Sequence, residues 1–312
     1  MSGVILAVDT SNYTTSAALC DGREVINTAS RLLPVEKGHL GLRQSEAVFH
    51  HTRALPEIIG EAVKDGAKID AVAVSSRPRD VEGSYMPCFL AGLSTAKSIG
   101  AVCGVPVYEF SHQSGHIAAA AYGAGRLDLL EKEFIAFHLS GGTTEAVVVK
   151  PDREKVFKTE LAAQTLDLNA GQAVDRVGAL LGLGFPAGIE LEKLALKGYC
   201  AEKIRPSLKG GDCCLSGVVN KCEKLLSENA PREDVAAFCL EYIFLTLDKM
   251  TEYLLDKYGG SEVLYSGGVM SNGIIRRKMT EKYGGSAIFS PPAFSRDNAA
   301  GISILGSIKY DG

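Results

Sequence analysis

Two histidines four residues apart, His112 and His116 in His-Gln-Ser-Gly-His, are the residues of this sequence best suited to chemistry. On a helix, positions i and i+4 lie one above the other on a single face, so both rings can reach one metal ion. Two ligands do not complete a site, and at least one more must come from elsewhere in the chain. Three loop segments indicate what such a metal would serve. Asp9-Thr10-Ser11, Ser140-Gly141-Gly142-Thr143-Thr144 and Ser266-Gly267-Gly268 each follow an apolar run. Loops of this composition turn backbone N–H groups toward phosphate oxygens. A metal pair beside phosphate-type loops reads as a nucleotide-dependent enzyme. A metalloprotease is disfavoured: Gln113 follows His112 where His-Glu-x-x-His would place its general base.

The elements that must position these residues follow from hydrophobic patterning. Val4–Val8 and Thr15–Leu19 read as a hairpin, and Ser45 to Lys64 as a helix with Val48, Leu55, Ile58, Ile59 and Ala62 on its apolar face. Ile69–Ser75 is a short strand, Phe89–Ile99 a helix, and Val105–Glu109 a strand leading into the histidine helix Ser111–Ala121, with Ser111 as its N-cap. Phe134–Leu139, a Ser-Gly-Gly-Thr-Thr turn and Thr144–Lys150 then repeat the opening strand–turn–strand, a sign of internal duplication. Helices follow at Ala173–Leu183, Ile189–Leu196 and Val235–Lys257, then a strand at Glu262–Tyr265 and a helix from Asn272. These elements imply an α/β protein of two domains, 1–130 carrying the metal-ligand helix and 131–312 carrying the nucleotide loops, with ligands expected in the crevice between them. The actin-like/sugar-kinase (ASKHA) fold, with duplicated ribonuclease H-like cores, is built this way.

Composition narrows the class. A chain with 46% hydrophobic and 22% charged residues is globular rather than disordered. A formal net charge of −4 gives no overall attraction for nucleic acid, so an RNA partner would need a local basic patch or another subunit. Arg276-Arg277-Lys278 and the stretch from Lys203 to Lys209 are the candidate patches, each also readable as a solvated surface. No apolar stretch is long enough to span a bilayer, and the first residues carry no leader signature. The eight cysteines include no Cys-x-x-Cys pair, which fits reduced core residues in a cytoplasmic protein.

Four segments in order make the resemblance specific: the histidine pair; His138-Leu-Ser-Gly-Gly-Thr143; Ala170-Gly-Gln-Ala-Val-Asp175 with Leu181-Gly-Leu-Gly-Phe-Pro-Ala-Gly188; and Ser290-Pro-Pro-Ala-Phe-Ser-Arg-Asp297-Asn298. The chain resembles, over nearly its whole length, the tRNA threonylcarbamoyladenosine synthase family: bacterial TsaD and its archaeal, eukaryotic and mitochondrial counterparts. The resemblance implies one divalent metal, iron or zinc, held by His112, His116 and Asp297. It implies an adenine nucleotide on the loop Leu139, Ser140, Gly141, Gly142 and Thr143, with Asp175, Gly188 and Glu192 at ribose and base and Asn272 contributing. A carboxylate suits a ribose diol because it accepts two hydrogen bonds, and a glycine lets a ligand approach closely. The implied reaction transfers the threonylcarbamoyl group of threonylcarbamoyl-AMP to N6 of an adenosine next to the anticodon of tRNA. Implied protein partners are a smaller TsaB-like paralogue and a TsaE-like ATPase.

The sequence also departs from that family. Its first loop reads Thr10-Ser-Asn-Tyr-Thr-Thr15 where an acidic pair is usual, Ser114 and Gln172 stand where Glu is usual, and Arg77-Pro-Arg-Asp80-Val replaces Gly-Pro-Gly-Leu. A Ser-Phe-Ser-Gly-type motif survives as Cys214-Leu-Ser-Gly217. Two other readings stay open at this point: a carbamoyl- or phosphoryl-transferring paralogue with another acceptor, and a nucleotide-binding scaffold without chemistry.

Overall fold

The computed structural model describes residues 3–11, 13–34, 42–63, 66–295 and 299–312. Two compact units emerge: Met1–Lys132 with Lys150–Thr159 and Ala293–Gly312, and Glu133–Val149 with Glu160–Pro292. The single cut near 130 expected from the sequence follows the chain. The units do not, because the last helix returns to the first sheet.

The first unit holds β1 (Val4–Ser11), β2 (Thr14–Asp21), β3 (Glu24–Leu32), α1 (Gln44–Ala62), β4 (Ala71–Arg77), α2 (Phe89–Cys103), β5 (Val107–Ser111) and α3 (His112–Gly123). Its sheet runs β3-β2-β1-β4-β5. β1 is antiparallel to β2 and parallel to β4, which is parallel to β5. β1 is buried almost throughout, as a central strand covered on both faces must be. Alternation along it sends Leu6 and Val8 into clusters with Ile58 and Leu55 of α1 and Ala96 of α2.

The second unit repeats this plan. β6 (Phe134–Leu139), β7 (Thr144–Asp152) and β8 (Val156–Gln164) lead to α4 (Ala170–Leu180) and α5 (Gly188–Ala195). A small hairpin, β9 (Ser207–Lys209) and β10 (Asp212–Cys214), precedes α6 (Ser216–Ser227) and the long α7 (Arg232–Tyr258). The unit ends with β11 (Val263–Ser266), α8 (Gly273–Tyr283) and β12 (Ala287–Phe289), before α9 (Ala300–Asp311) rejoins the first unit. Its sheet runs β12-β11-β6-β7-β8, the same order of roles as in the first. Tyr265, fully buried, stacks between Phe137 and Phe289 at 5.3 and 5.1 Å across three neighbouring strands. The expected duplication is therefore one of strand order, and the ASKHA-type two-sheet α/β fold is the observed one.

α9 covers the remaining face of the first sheet and packs backbone to backbone on α3. A Cβ on Gly301 would lie 1.8 Å from the Gly115 carbonyl oxygen, and one on Gly306 would lie 2.6 Å from the Ala73 Cβ. Only glycine permits these approaches. They fix the height of the histidine helix above the strands.

Candidate functional site

Because β1, β4 and β5 run parallel, their carboxyl ends share one edge of the first sheet, the edge where open α/β sheets bind ligands. β1 brings Asp9, β4 brings Arg77, and β5 runs straight into α3 and His112. Ser111 caps α3 as expected, its hydroxyl accepting from the Ser114 amide. The two imidazoles stand face to edge, with ring centroids 4.4 Å apart. Asp9, fully buried, accepts a hydrogen bond from His112 Nδ1 at 2.7 Å through Oδ2, while Oδ1 accepts from the Ser11 amide at 2.8 Å. A carboxylate can only accept, so it places the His112 proton on Nδ1 and leaves Nε2 as a lone-pair donor. This carboxylate–imidazole pairing is the usual support of a metal-bound histidine.

The surroundings are polar as well. Ser16 stands opposite Asp9 across the β1–β2 pair, and the buried hydroxyls of Ser11, Ser16 and Ser75 have no partner among the described residues. Buried hydroxyls without partners mark room for water or an ion. The donor chemistry thus fits a divalent metal. No group of three His, Cys, Asp or Glu side chains arranged to hold one metal ion occurs among the described residues. Asp297, the third ligand implied by the resemblance, lies outside them, as does Asn12 of the altered first loop.

In the second unit the Ser140 loop closes the β6–β7 hairpin. The Ser140 amide donates to the Thr143 carbonyl at 2.8 Å, and the Thr143 amide to the Ser140 hydroxyl at 3.1 Å. Three chain segments meet at its base. A Cβ on Gly171 of α4 would lie 2.6 Å from the Gly141 nitrogen, and one on Gly267 would lie 2.2 Å from the Leu139 carbonyl oxygen. Gly141 and Gly142 themselves are exposed and face open space. The amides of a fixed, glycine-lined turn beside the N-terminus of α4 are what an anion seat requires.

The residues that the resemblance assigns to the nucleotide are drawn into the framework of the second unit. Asp175 accepts from the Ala187 amide at 2.9 Å through Oδ1, which pins the segment entering Gly188 and α5, and Oδ2 has no hydrogen bond among the described residues. Glu192 accepts from the Gly273 amide at 2.9 Å. Asn272, buried, caps α8 by accepting from the Ile274 and Ile275 amides, both at 3.1 Å. Glu192 and Asn272 therefore serve the same helix end.

Two carboxylates were not singled out from the sequence. Asp80 accepts from Ser111 and Ser114 at 3.0 and 2.9 Å and pairs with Arg77. Burial alone would push its carboxyl up, but Arg77, Ser114 and Ser111 outweigh that and hold it below the usual carboxylate range. Asp167 accepts from the Leu215 and Ser216 amides at 2.7 and 3.1 Å, so the surviving Leu-Ser-Gly motif starts α6. No local pattern marked Asp167, whose partners Leu215 and Ser216 lie nearly fifty residues further along the chain. For Asp80 the altered Arg77-Pro-Arg-Asp80 segment was the only local sign, because its serine partners lie 31 and 34 residues away.

Other candidates weaken. In the Arg276–Lys278 patch, Arg276 lies over the Phe289 ring, Arg277 sits 3.9 Å from Glu281 and Lys278 binds Glu241. Burial raises the Cys20 and Cys213 thiols to about 12, which removes them as nucleophiles. No helix among the described residues is long and apolar enough to cross a membrane.

Comparison with known proteins identifies the family. The family profile of TsaD, tRNA N6-adenosine threonylcarbamoyltransferase, matches residues 35–304. The chain is 29% identical to the tRNA N6-adenosine threonylcarbamoyltransferase of Methanopyrus kandleri, over 93% of this chain and 82% of that protein. It is also 29% identical to the protein of that name from Thermosipho africanus, over 98% of this chain and 94% of that one. Among solved structures, full-length HypF in its phosphate- and nucleotide-bound form superposes with a TM-score of 0.62 at 15% identity, over 99% of this chain and 56% of that chain. A ROK hexokinase from Thermus thermophilus gives 0.55 at 14% identity over 99% of this chain and 100% of that chain. At such identities the solved structures speak for the fold, whereas the family match covers most of the sequence: the chain belongs to the tRNA N6-adenosine threonylcarbamoyltransferase family.

Proposed function

We propose that this protein transfers the threonylcarbamoyl group from threonylcarbamoyl-AMP to N6 of an adenosine beside the anticodon of tRNA. The attacking N6 forms a bond to the carbamoyl carbon, the bond from that carbon to the phosphate oxygen breaks, AMP leaves, and N6 gives up one proton. The reading is carried by one observation: Asp9 fixes His112 so that Nε2 is its donor atom beside His116. His112 and His116, with Asp297, are the residues that would hold a divalent ion, iron or zinc. Such an ion polarises a carbonyl oxygen and favours attack at its carbon.

The chain's own residues supply the rest. Amides of the Leu139–Thr143 loop would take the phosphate and stabilise its charge as AMP departs. The unused oxygen of Asp175 would accept from the ribose, with Gly188 admitting the nucleoside. Glu192 and Asn272 would shape the seat through the α8 terminus they hold. Support for working with partners comes from a Methanothermobacter thermautotrophicus relative named a probable bifunctional tRNA threonylcarbamoyladenosine biosynthesis protein, of which this chain spans 52%.

The test is mass analysis of tRNA nucleosides after incubation with threonylcarbamoyl-AMP, with a TsaB-like paralogue and a TsaE-like ATPase added. Wild-type protein is expected to give threonylcarbamoyladenosine and His112→Ala none. Equal product from both would overturn the assignment of the histidine pair.

A further inference from the structure

Two separate oddities of the sequence, the Arg77-Pro-Arg-Asp80 turn and Ser114, meet in one contact. The Asp80 side chain is only 4% exposed. Its Oδ2 accepts from the hydroxyls of Ser111 and Ser114 at 3.0 and 2.9 Å. Its Oδ1 accepts from Arg77 Nε at 3.0 Å, with Lys155 Nζ at 3.5 Å. Ser111 is the N-cap of α3, and its hydroxyl also accepts from the Ser114 amide at 3.1 Å. Around it, the Gln113 amide donates to the Pro78 carbonyl at 3.0 Å, and the Gln113 side-chain oxygen accepts from Thr159 at 3.1 Å. The first turn of α3, the turn that carries His112, is thus tied to the loop after β4 and, through Gln113, to Thr159 of β8.

A helix N-terminus leaves its first amides without intrahelical partners, and a cap residue fixes both their hydrogen bonds and the entry angle of the chain. Here the cap hydroxyl is itself held by a buried carboxylate, which a guanidinium keeps charged. Asp9 grips the His112 ring, and Asp80 grips the backbone from which that ring projects. Asp80 touches neither imidazole in any hydrogen bond seen here, so its effect must pass through the helix.

We propose that Asp80, clamped by Arg77, is a positioning residue for the histidine pair: through Ser111 and Ser114 it sets the orientation of α3 from which His112 and His116 extend. The proposal rests on the reading that this pair binds the metal, and the test separates the two. Asp80→Asn keeps the size of the side chain but presents a donor either to the serine hydroxyls or to Arg77. Asp80→Ala combined with Ser114→Asp returns a carboxylate to the same guanidinium from the helix side.

Three measurements on the full chain decide it: amide hydrogen exchange of the metal-free protein, zinc affinity by competition with a chromogenic chelator, and AMP affinity by calorimetry. Asp80→Asn is expected to speed exchange at Gln113 and Ser114 about tenfold, the scale of one lost charge-assisted hydrogen bond. It should weaken zinc binding by about tenfold, the lower end of what supporting partners contribute. AMP affinity should stay within about twofold, and the double variant should recover both losses. Unchanged exchange in the first turn of α3, or equal losses of zinc and AMP binding, would overturn the proposal. If wild-type protein takes up neither zinc nor ferrous iron, the metal reading fails and the exchange result alone decides the role of Asp80. Should Asp80→Asn not fold, Arg77→Met makes the same break from the other side and is held to the same outcomes.

Discussion

At the end of β1 a fully buried carboxylate, Asp9, is committed to a histidine of its own unit, and a threonine bolts the strand to the next helix: Thr10 donates to the Cys88 carbonyl at 3.0 Å and accepts from the Gly92 amide at 3.2 Å. At the matching end of β6 the work is done by bare backbone. Gly171 lies against Ser140 and Gly141, Gly267 against Leu139, and the two turn glycines face outward. One plan of strands has been finished in two ways. On the proposed reading, side-chain charge at the first loop would favour a cation, whereas glycine contact fixes the second and turns the exposed Gly141–Gly142 backbone toward an anion. The duplicated sheet would then set where ligands bind, and the local residues would decide which sign of charge is welcome.

The comparison breaks hardest at Gly267. Its φ is +96°, and an added Cβ would sit 2.2 Å from a backbone oxygen, so no side chain can rotate out of the way. Gly267→Ala is expected to cost about 3 kcal/mol from backbone strain and overpacking together. Urea denaturation reads that loss, and AMP binding should fall while zinc binding survives in the folded fraction. A fully stable Gly267→Ala protein would show that the second loop is not held by backbone contact.

Next in size is Asp9→Asn. Whichever way the amide faces, its NH2 meets either the Ser11 N–H or His112 Nδ1. The first pairing sets donor against donor; the second moves the histidine proton to Nε2 and removes the lone pair. Zinc affinity should fall by about ten- to a hundredfold, with AMP affinity unchanged. A matching drop in AMP affinity would mean that the two loops are not independent in function.

Much of this was legible from residue order, and the misses are features that no hydrophobic pattern announces. The sequence placed the histidine helix, its Ser111 cap and both turn loops because each combines an apolar run with a distinctive terminator. It missed β3 and β8, the outermost strands on one side of each sheet. β3 alternates between exposed and half-buried residues over Glu-Val-Ile-Asn-Thr, and β8 sets buried Phe157 among exposed and half-buried neighbours in Val-Phe-Lys-Thr-Glu, so no apolar run announces either. It missed α9 for the opposite reason: Gly301, Ser303, Gly306 and Ser307 are buried along with its aliphatic residues, and a helix covered all round shows no amphipathic period. In α1 the buried face includes His51, bound to Thr15 at 2.8 Å, which polarity alone would have placed outside. The Asp80 contacts stayed hidden because they join segments whose spacing carries no period at all.

A pH dependence sharpens the first half of the comparison. The Asp80 carboxyl sits below its ordinary range when folded, so its contribution to stability is complete above the unfolded carboxylate value. That contribution is lost as pH falls through the depressed folded value. Urea unfolding between pH 5 and 2 should therefore show a steeper loss of stability in wild type than in Asp80→Asn, with the two curves converging at the acid end. Parallel curves would mean that the folded environment does not hold this carboxylate charged.

The smallest effect belongs to the second half. Asn272 contributes to α8 through two amide hydrogen bonds at one helix end, and Glu192 takes the Gly273 amide beside it. Replacing Asn272 by Ala removes the cap and should cost about 1 kcal/mol, because the Glu192 bond continues to hold the adjacent donor. The double variant Asn272→Ala/Glu192→Gln then discriminates between framework and ligand roles. If these residues act on AMP only by holding α8, the two changes should be strongly coupled in stability and their effect on AMP affinity should follow the loss of helix order. If AMP affinity falls while α8 amide exchange is unchanged, the side chains touch the nucleotide themselves, and the anion seat of the second unit extends from the bare turn to the end of α8.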